Sequence, residues 1–197
     1  MGGQTSFRIT CIFKNKAMKL NDLTKQIGDI KINITEDQVL DYLKIKYRWP
    51  FKYPWDQNSV EVINNLGNGH SRFFDGQGYL VYEEWLKYYD LGYTSIISNV
   101  MDLNKNLREL QTLIVKTVGS HANGNFYFSK TGQKPSFDKH RHNYSVIVKQ
   151  IYGRSTWIID NKKIILNPQQ ALLIDSRTEH EVVTKEDKKL SLTLNID

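Results

Sequence analysis

A single cysteine, Cys11, leaves this 197-residue chain without any internal disulfide framework, and a lone thiol fits a reducing compartment. No apolar run is long enough to cross a bilayer and no secretory leader opens the sequence, so a cytoplasmic setting and no membrane partner are expected. Acidic residues are fewer than basic ones, 21 against 27, giving a formal charge of +6. The lysines are scattered rather than gathered into a run, which reads as a solvated basic surface with no clear nucleic-acid site. There is no phosphate-binding glycine loop, and Cys11 lies far in sequence from any histidine, so neither a phosphotransferase nor a cysteine-hydrolase reading finds support. Internal repeats and low-complexity blocks are also missing.

What is present is enough for a folded core. Hydrophobic residues make up 40% of the chain and aromatics 12%, which excludes a disordered polymer. The length suits one domain with a substantial extension. Three helices are predicted in the N-terminal half. The first begins at Thr35, with Gln38 as its capping-box partner, and carries Val39, Leu40, Leu43 and Tyr47 on one side before stopping short of Pro50. The second covers about Tyr79 to Leu91 and ends at Gly92. A buried strand is predicted from Tyr93 to Val100, and a third helix from Lys105 to Val118 with Leu107, Leu110, Ile114 and Val118 at helical spacing. The aromatic stretch Tyr47, Trp49, Phe51, Tyr53, Trp55 is expected to pack on the remainder of the protein rather than form an interaction surface.

After Gly119 the apolar period changes to two. Short strands are predicted over Asn125–Lys130, Tyr144–Ile151, Ser155–Ile159, Lys162–Leu166, Ala171–Asp175, Glu181–Thr184 and Leu190–Ile196. Turn signals at Gly132, Gly153, Asp160-Asn161 and Asn167-Pro168 separate them. Helices first and strands after give an α+β class, the strands forming a barrel or sandwich.

His140 and His142 open the long predicted strand. At positions i and i+2 their side chains share a face, so both imidazoles can converge on one ion. The same parity turns Tyr144, Val146, Val148 and Gln150 inward. His180, just before another strand, supplies a third imidazole, and such a set suits Fe(II), Zn(II), Mn(II), Ni(II) or Cu(II) with coordination positions left open. His70 and His121 fall outside this pattern and read as surface or loop residues.

Several segments resemble one family. Gly92-Tyr93-Thr94-Ser95-Ile96-Ile97-Ser98-Asn99-Val100, Asp102-Leu103-Asn104 and Leu107-Arg108-Glu109-Leu110 look like the strand and helix that precede a known barrel. His140 to Trp157, with Gln150 and Gly153 between, is similar to its metal-binding strand and hairpin. Pro168 to His180 resembles the approach to its distal histidine, and Ser191 to Ile196 its closing strand. From Gly92 onward the chain thus resembles the Jumonji-C (JmjC) cupin oxygenases, particularly the ribosomal-oxygenase branch. The resemblance implies a C-terminal double-stranded β-helix, a cupin or jelly-roll barrel, over residues 93–197, with residues 1–92 a mainly helical extension packed on it. It implies Fe(II) at His140, His142 and His180, 2-oxoglutarate as cosubstrate, and hydroxylation of a small molecule or a peptide or protein side chain.

Two departures bear on that reading. The family's second ligand is an acid and here is His142, as in three-histidine cupin dioxygenases; a two-histidine site with His142 standing aside is the other reading. The family's lysine for 2-oxoglutarate falls at Ser155, a candidate for the cosubstrate because its neutral hydroxyl can hydrogen-bond a carboxylate though not neutralise it. Other 2-oxoglutarate oxygenases carry a basic residue on the strand after the distal histidine, which by resemblance assigns the cosubstrate to Lys189 with Ser191. Asn195 and Tyr127 are further candidates near it. Gln169 and Gln170 replace the family's glycine and acid and are expected to alter only turn shape. An oxo-acid-independent dioxygenase and a non-catalytic ligand-binding cupin remain the alternatives, and nothing in the sequence fixes an oligomeric state.

Overall fold

The computed structural model describes residues 19–45, 60–63, 73–76, 79–131, 138–183 and 188–196. Helix α1 (19–29) and helix α2 (Glu36–Ile45) are followed by strand β1 (Val60–Ile63), α3 (Tyr82–Asp90), β2 (Thr94–Ile97) and α4 (Lys105–Val118). Then come β3 (Asn123–Ser129), β4 (Ser145–Tyr152), β5 (Ser155–Ile159), β6 (Lys162–Leu166), β7 (Ala171–Ile174), β8 (His180–Val183) and β9 (Lys189–Ile196). A six-stranded sheet in the order β1-β2-β3-β9-β4-β7 faces a three-stranded sheet in the order β6-β5-β8, and every named strand pair is antiparallel. Of the strands from β4 onward, β4, β7 and β9 lie in the large sheet and the β5–β6 hairpin and β8 in the small one, so the chain crosses repeatedly between the sheets and winds into a double-stranded β-helix. Helices first and a barrel after confirm the α+β cupin architecture.

The helices form as their sequences dictate. Thr35 and Gln38 make the reciprocal capping box, each accepting the other's backbone N–H at 3.0 and 3.3 Å. Asn104 caps α4 by accepting from the Leu107 amide, and Gly119 ends it at φ +82°. Helix α3 begins three residues later than predicted, because Tyr79 and Leu80 are held back in a small hairpin, with a Phe74–Leu80 bridge and the Tyr79 amide bonded to Asp75. Sequence reasoning missed α1, although Leu20, Leu23 and Ile27 are buried at helical spacing along it. It also missed β1. The aromatic run Tyr47–Trp55 and His70 lie outside the described residues.

Both faces of the large sheet are covered. Ile147, Ile151, Leu190, Leu192, Leu194 and Ile196 point outward and share one core with the helices. Trp85 and Tyr89 of α3 lie on Phe128 with ring centroids 6.3 and 4.5 Å away. The opposite face looks into the barrel, where Val146, Val148, Trp157, Leu166 and Ile174 form a second core. On the outer face of the three-stranded sheet Ile165 is 52% exposed.

Two polar devices, one buried and one partly so, tie the helical layer to the barrel. Lys149 is fully buried and donates to the carbonyls of Gly28 at 2.9 Å and Gln169 at 2.5 Å. The Gln169 side chain accepts from the Ile32 amide and donates to the carbonyls of Ile32 and Ile151, pairing with Ile32 as a neighbouring strand would. The residue expected only to shape a turn is therefore an anchor for the segment between α1 and α2.

Candidate metal centre

His140 and His142 lie on the extended segment leading into β4, and His180 opens β8. The backbones of His140 and His180 exchange both hydrogen bonds, at 3.0 and 2.9 Å, so the two halves of the site are clamped together by an isolated antiparallel bridge. One ligand atom from each histidine lies within 4.8 Å of the others. Ring centroids are 4.8 Å apart for His140 and His142, 4.4 Å for His140 and His180, and 5.2 Å for His142 and His180. A small convergence of these rings reaches the ~2 Å bonds that a divalent first-row ion makes to imidazole nitrogen.

Hydrogen bonds set two of the tautomers. Nδ1 of His140 lies 2.7 Å from the Asp138 carbonyl, and Nδ1 of His180 lies 2.9 Å from the Thr178 carbonyl. A carbonyl only accepts, so Nδ1 carries the proton in both rings and Nε2 is the lone-pair nitrogen, the arrangement a ligating histidine needs. Burial, followed by the proximity of the other two imidazoles, holds His142 below the usual histidine range. Burial likewise lowers His180, against the bond to Thr178. Both are thus kept neutral, as metal binding requires. His142 also stacks on Tyr144 with centroids 4.9 Å apart and planes at 12°. The donor set fits one divalent ion.

These histidines open into a cavity of about 520 Å³, counting its mouth. Its apolar lining is Val146, Trp157, Ile174 and Val182, and its polar lining includes Tyr127, Lys189, Ser191 and Thr193. The polarity follows from β9 itself, whose leucines face the helical layer and whose Lys189, Ser191 and Thr193 alternate into the barrel. Lys189 is only 3% exposed, and burial pushes its ammonium down to about 8. Burial also raises the Tyr127 phenol, so it stays a neutral donor. Among the described residues, no aspartate or glutamate lines the cavity.

Ser155 occupies the floor in a closed network. Gln150 Nε2 donates to the carbonyls of Tyr152 at 2.7 Å and Leu190 at 3.3 Å, which fixes the amide orientation because carbonyls cannot donate. Its Oε1 then accepts from both Ser155 and Ser191 hydroxyls at 2.8 Å. The Ser155 oxygen accepts in turn from Trp157 Nε1 at 2.9 Å. The Ser155 hydroxyl is thus committed to the barrel floor, and among the described residues the cationic side chain lining the cavity is Lys189. Gly153 allows this, since a side chain there would press on the Lys188 carbonyl and lie 2.9 Å from the Lys189 Cα.

Asn195 pairs with Val146 and Asn123 across its neighbouring strands and is not among the residues lining the cavity. His121 is exposed and meets the Gln111 side chain at 3.1 Å. Thr193 was legible from the parity of Lys189 and Ser191 but was not singled out. The carbonyls of Asp138 and Thr178 carry no signal in their residue type.

No protein-family model and no curated protein matches the chain. Among solved structures it is similar to the plu4264 protein of Photorhabdus luminescens at 15% identity and a TM-score of 0.34, covering 39% of this chain and 62% of that one. A cupin superfamily protein of Desulfitobacterium hafniense is 16% identical at a TM-score of 0.34, over 39% of this chain and 68% of that one. The DMSP lyase DddQ of Ruegeria pomeroyi is 16% identical at 0.35, over 39% of this chain and 38% of that one. The chain therefore spans under two thirds of the Photorhabdus protein and well under half of the lyase. Its own strand order and two-sheet winding place it in the cupin fold, with a three-histidine cluster at the barrel mouth.

Proposed function

We propose that this barrel is a non-haem Fe(II) oxygenase that uses 2-oxoglutarate to hydroxylate an unactivated C–H bond in a small molecule or a protein side chain. One observation carries the reading: a buried lysine shares with three histidines a cavity that, among the described residues, no carboxylate lines. Three neutral ligands leave the full charge of a divalent ion uncompensated, and Lys189 adds another positive charge at low dielectric. A ligand with an anionic group at each end answers both, and 2-oxoglutarate is such a dianion. The resemblance to JmjC oxygenases supports the same choice, as an analogy.

His140, His142 and His180 would hold the iron, which when bound supplies open coordination positions and the redox chemistry for dioxygen. The protein's part is placement. Lys189 pairs with the distal carboxylate, Tyr127 donates its phenolic hydrogen beside it, and Val146, Ile174 and Trp157 cover the methylene chain and exclude water.

Anaerobic titration with Fe(II), then with 2-oxoglutarate, tests this reading. A visible charge-transfer band is expected only after the oxo-acid is added, and neither His140→Ala nor His180→Ala should develop it. Iron uptake without the band would favour the second reading, a three-histidine dioxygenase whose substrate chelates the metal itself. The imidazole of His142 in place of an acid is the observation on that side. Protein that takes up no divalent metal would instead be a ligand-binding barrel.

A further inference from the structure

The loop between β7 and β8 holds an L-residue in a conformation that favours glycine. Thr178 N–H donates to the Asp175 carbonyl at 3.1 Å, closing a four-residue turn. Of its two central residues only Arg177 has positive φ, at +65°. That is the type II pattern, whose third position is usually glycine. Arginine there is strained, and its side chain is exposed, so packing of that side chain does not account for the strain.

The backbone amide of Arg177 does account for it. This N–H donates to the His142 carbonyl at 2.6 Å. In a regular antiparallel ladder continuing from the His140–His180 pair, the next hydrogen-bonded partner of residue 142 would be residue 178. The turn instead commits the Thr178 amide to Asp175, while the Thr178 carbonyl accepts from Nδ1 of His180. The left-handed kink brings the Arg177 amide to His142 in its place. One turn therefore orients His180 through its ring and His142 through its backbone.

We propose that Arg177 is a positioning residue. Its left-handed backbone locks the His142 segment so that the third imidazole joins the metal, making this a three-histidine rather than a two-histidine site. The inference rests on the metal reading above and concerns only how His142 is held. Arg177→Gly and Arg177→Asn tolerate positive φ and keep the amide, and they remove the same charge as Arg177→Val, whose branched side chain resists that φ.

The test is Co(II) titration of purified protein, following the d–d absorption, with affinities measured by calorimetry. Wild type, Arg177→Gly and Arg177→Asn are expected to give one spectrum and affinities within about twofold of each other. Arg177→Val is expected to bind about tenfold more weakly, the order of loss seen when groups orienting a ligand are removed, and to share the spectrum of His142→Ala. Arg177→Ala, a milder change, serves in its place if the valine protein does not fold. A valine or alanine protein with the wild-type spectrum and affinity overturns the positioning role alone. A wild-type spectrum unchanged by His142→Ala, or no Co(II) uptake by wild type, overturns the third ligand or the metal itself, and this proposal with it.

Discussion

Lys189 is the residue on which the functional reading turns. At the start of a strand, in a sequence already rich in lysine, it would ordinarily be a solvated cation. Gly153 lets the 188–189 backbone settle closely, and the alternation of β9 turns the side chain inward. Lys189→Met keeps the length of the chain and removes the charge. The affinity for 2-oxoglutarate should fall by at least about tenfold, the scale of one charge-assisted hydrogen bond, while Fe(II) affinity stays within about twofold. A pH dependence accompanies this. The ammonium is the form that binds the carboxylate, and burial has brought its pKa to about 8. Oxo-acid affinity of the wild type should therefore weaken as pH rises through about 8, and Lys189→Met should lose that dependence. Equal affinity in the two proteins would remove Lys189 from the site.

At the scale of elements, the joint between the helices and the barrel is polar. Gln169 uses both ends of its amide on backbone groups of Ile32 and Ile151, and does so from a left-handed backbone at φ +65°. Gln169→Ala would leave these partly buried groups without their partner, at a cost of about 1–3 kcal/mol. The loss should be local. Amides near Ile32 should exchange faster with solvent, whereas those of Leu192 and Ile147 in the large sheet should be unchanged. Uniform acceleration across both would mean that the helical layer and the barrel open as one unit.

This joint also marks where sequence reading stops. Helix α4, the Thr35–Gln38 box and strands β5 and β6 were legible to the residue, because capping, turn chemistry and periodicity are local. The three histidines converge as their spacing implied, and parity turned Val146 and Gln150 inward as expected. The offset start of α3 depends on the hairpin at Phe74, and the roles of Lys149 and Gln169 depend on helix α1 and the segment after it, more than a hundred residues earlier in the chain. No local pattern encodes those contacts. The polar lumen is similar: the alternation of β9 is plain in the sequence, but which face looks inward is decided by the helices that claim the leucines.

Among the described residues, two buried lysines and three tyrosines, Tyr89 buried and Tyr127 and Tyr152 partly so, are displaced far in opposite senses and bear on alkaline stability. Burial lowers Lys149 and Lys189 to about 8 from the ordinary 10.5. The unfolded chain keeps those protons up to about pH 10.5, while the folded protein releases them from about pH 8. The unfolded state therefore binds more protons in that window, and stability rises with pH, by at most about 1.4 kcal/mol per pH unit for each lysine. Burial raises the phenols of Tyr89, Tyr127 and Tyr152 above the ordinary 10, with Glu36 adding to the shift at Tyr89 and Tyr152. Their contribution is intact below pH 10 and is lost above it, where unfolded tyrosines ionise and folded ones do not. Three falling contributions outweigh two rising ones beyond that point, so the apo-protein should reach its highest Tm between about pH 9 and 10 rather than near neutrality. Calorimetric scans from pH 7 to 11 decide this. Lys149→Met should flatten the rise on the neutral side while leaving the fall above pH 10 in place. A Tm that declines steadily from pH 7.5 would mean that water reaches one or both ammonium groups.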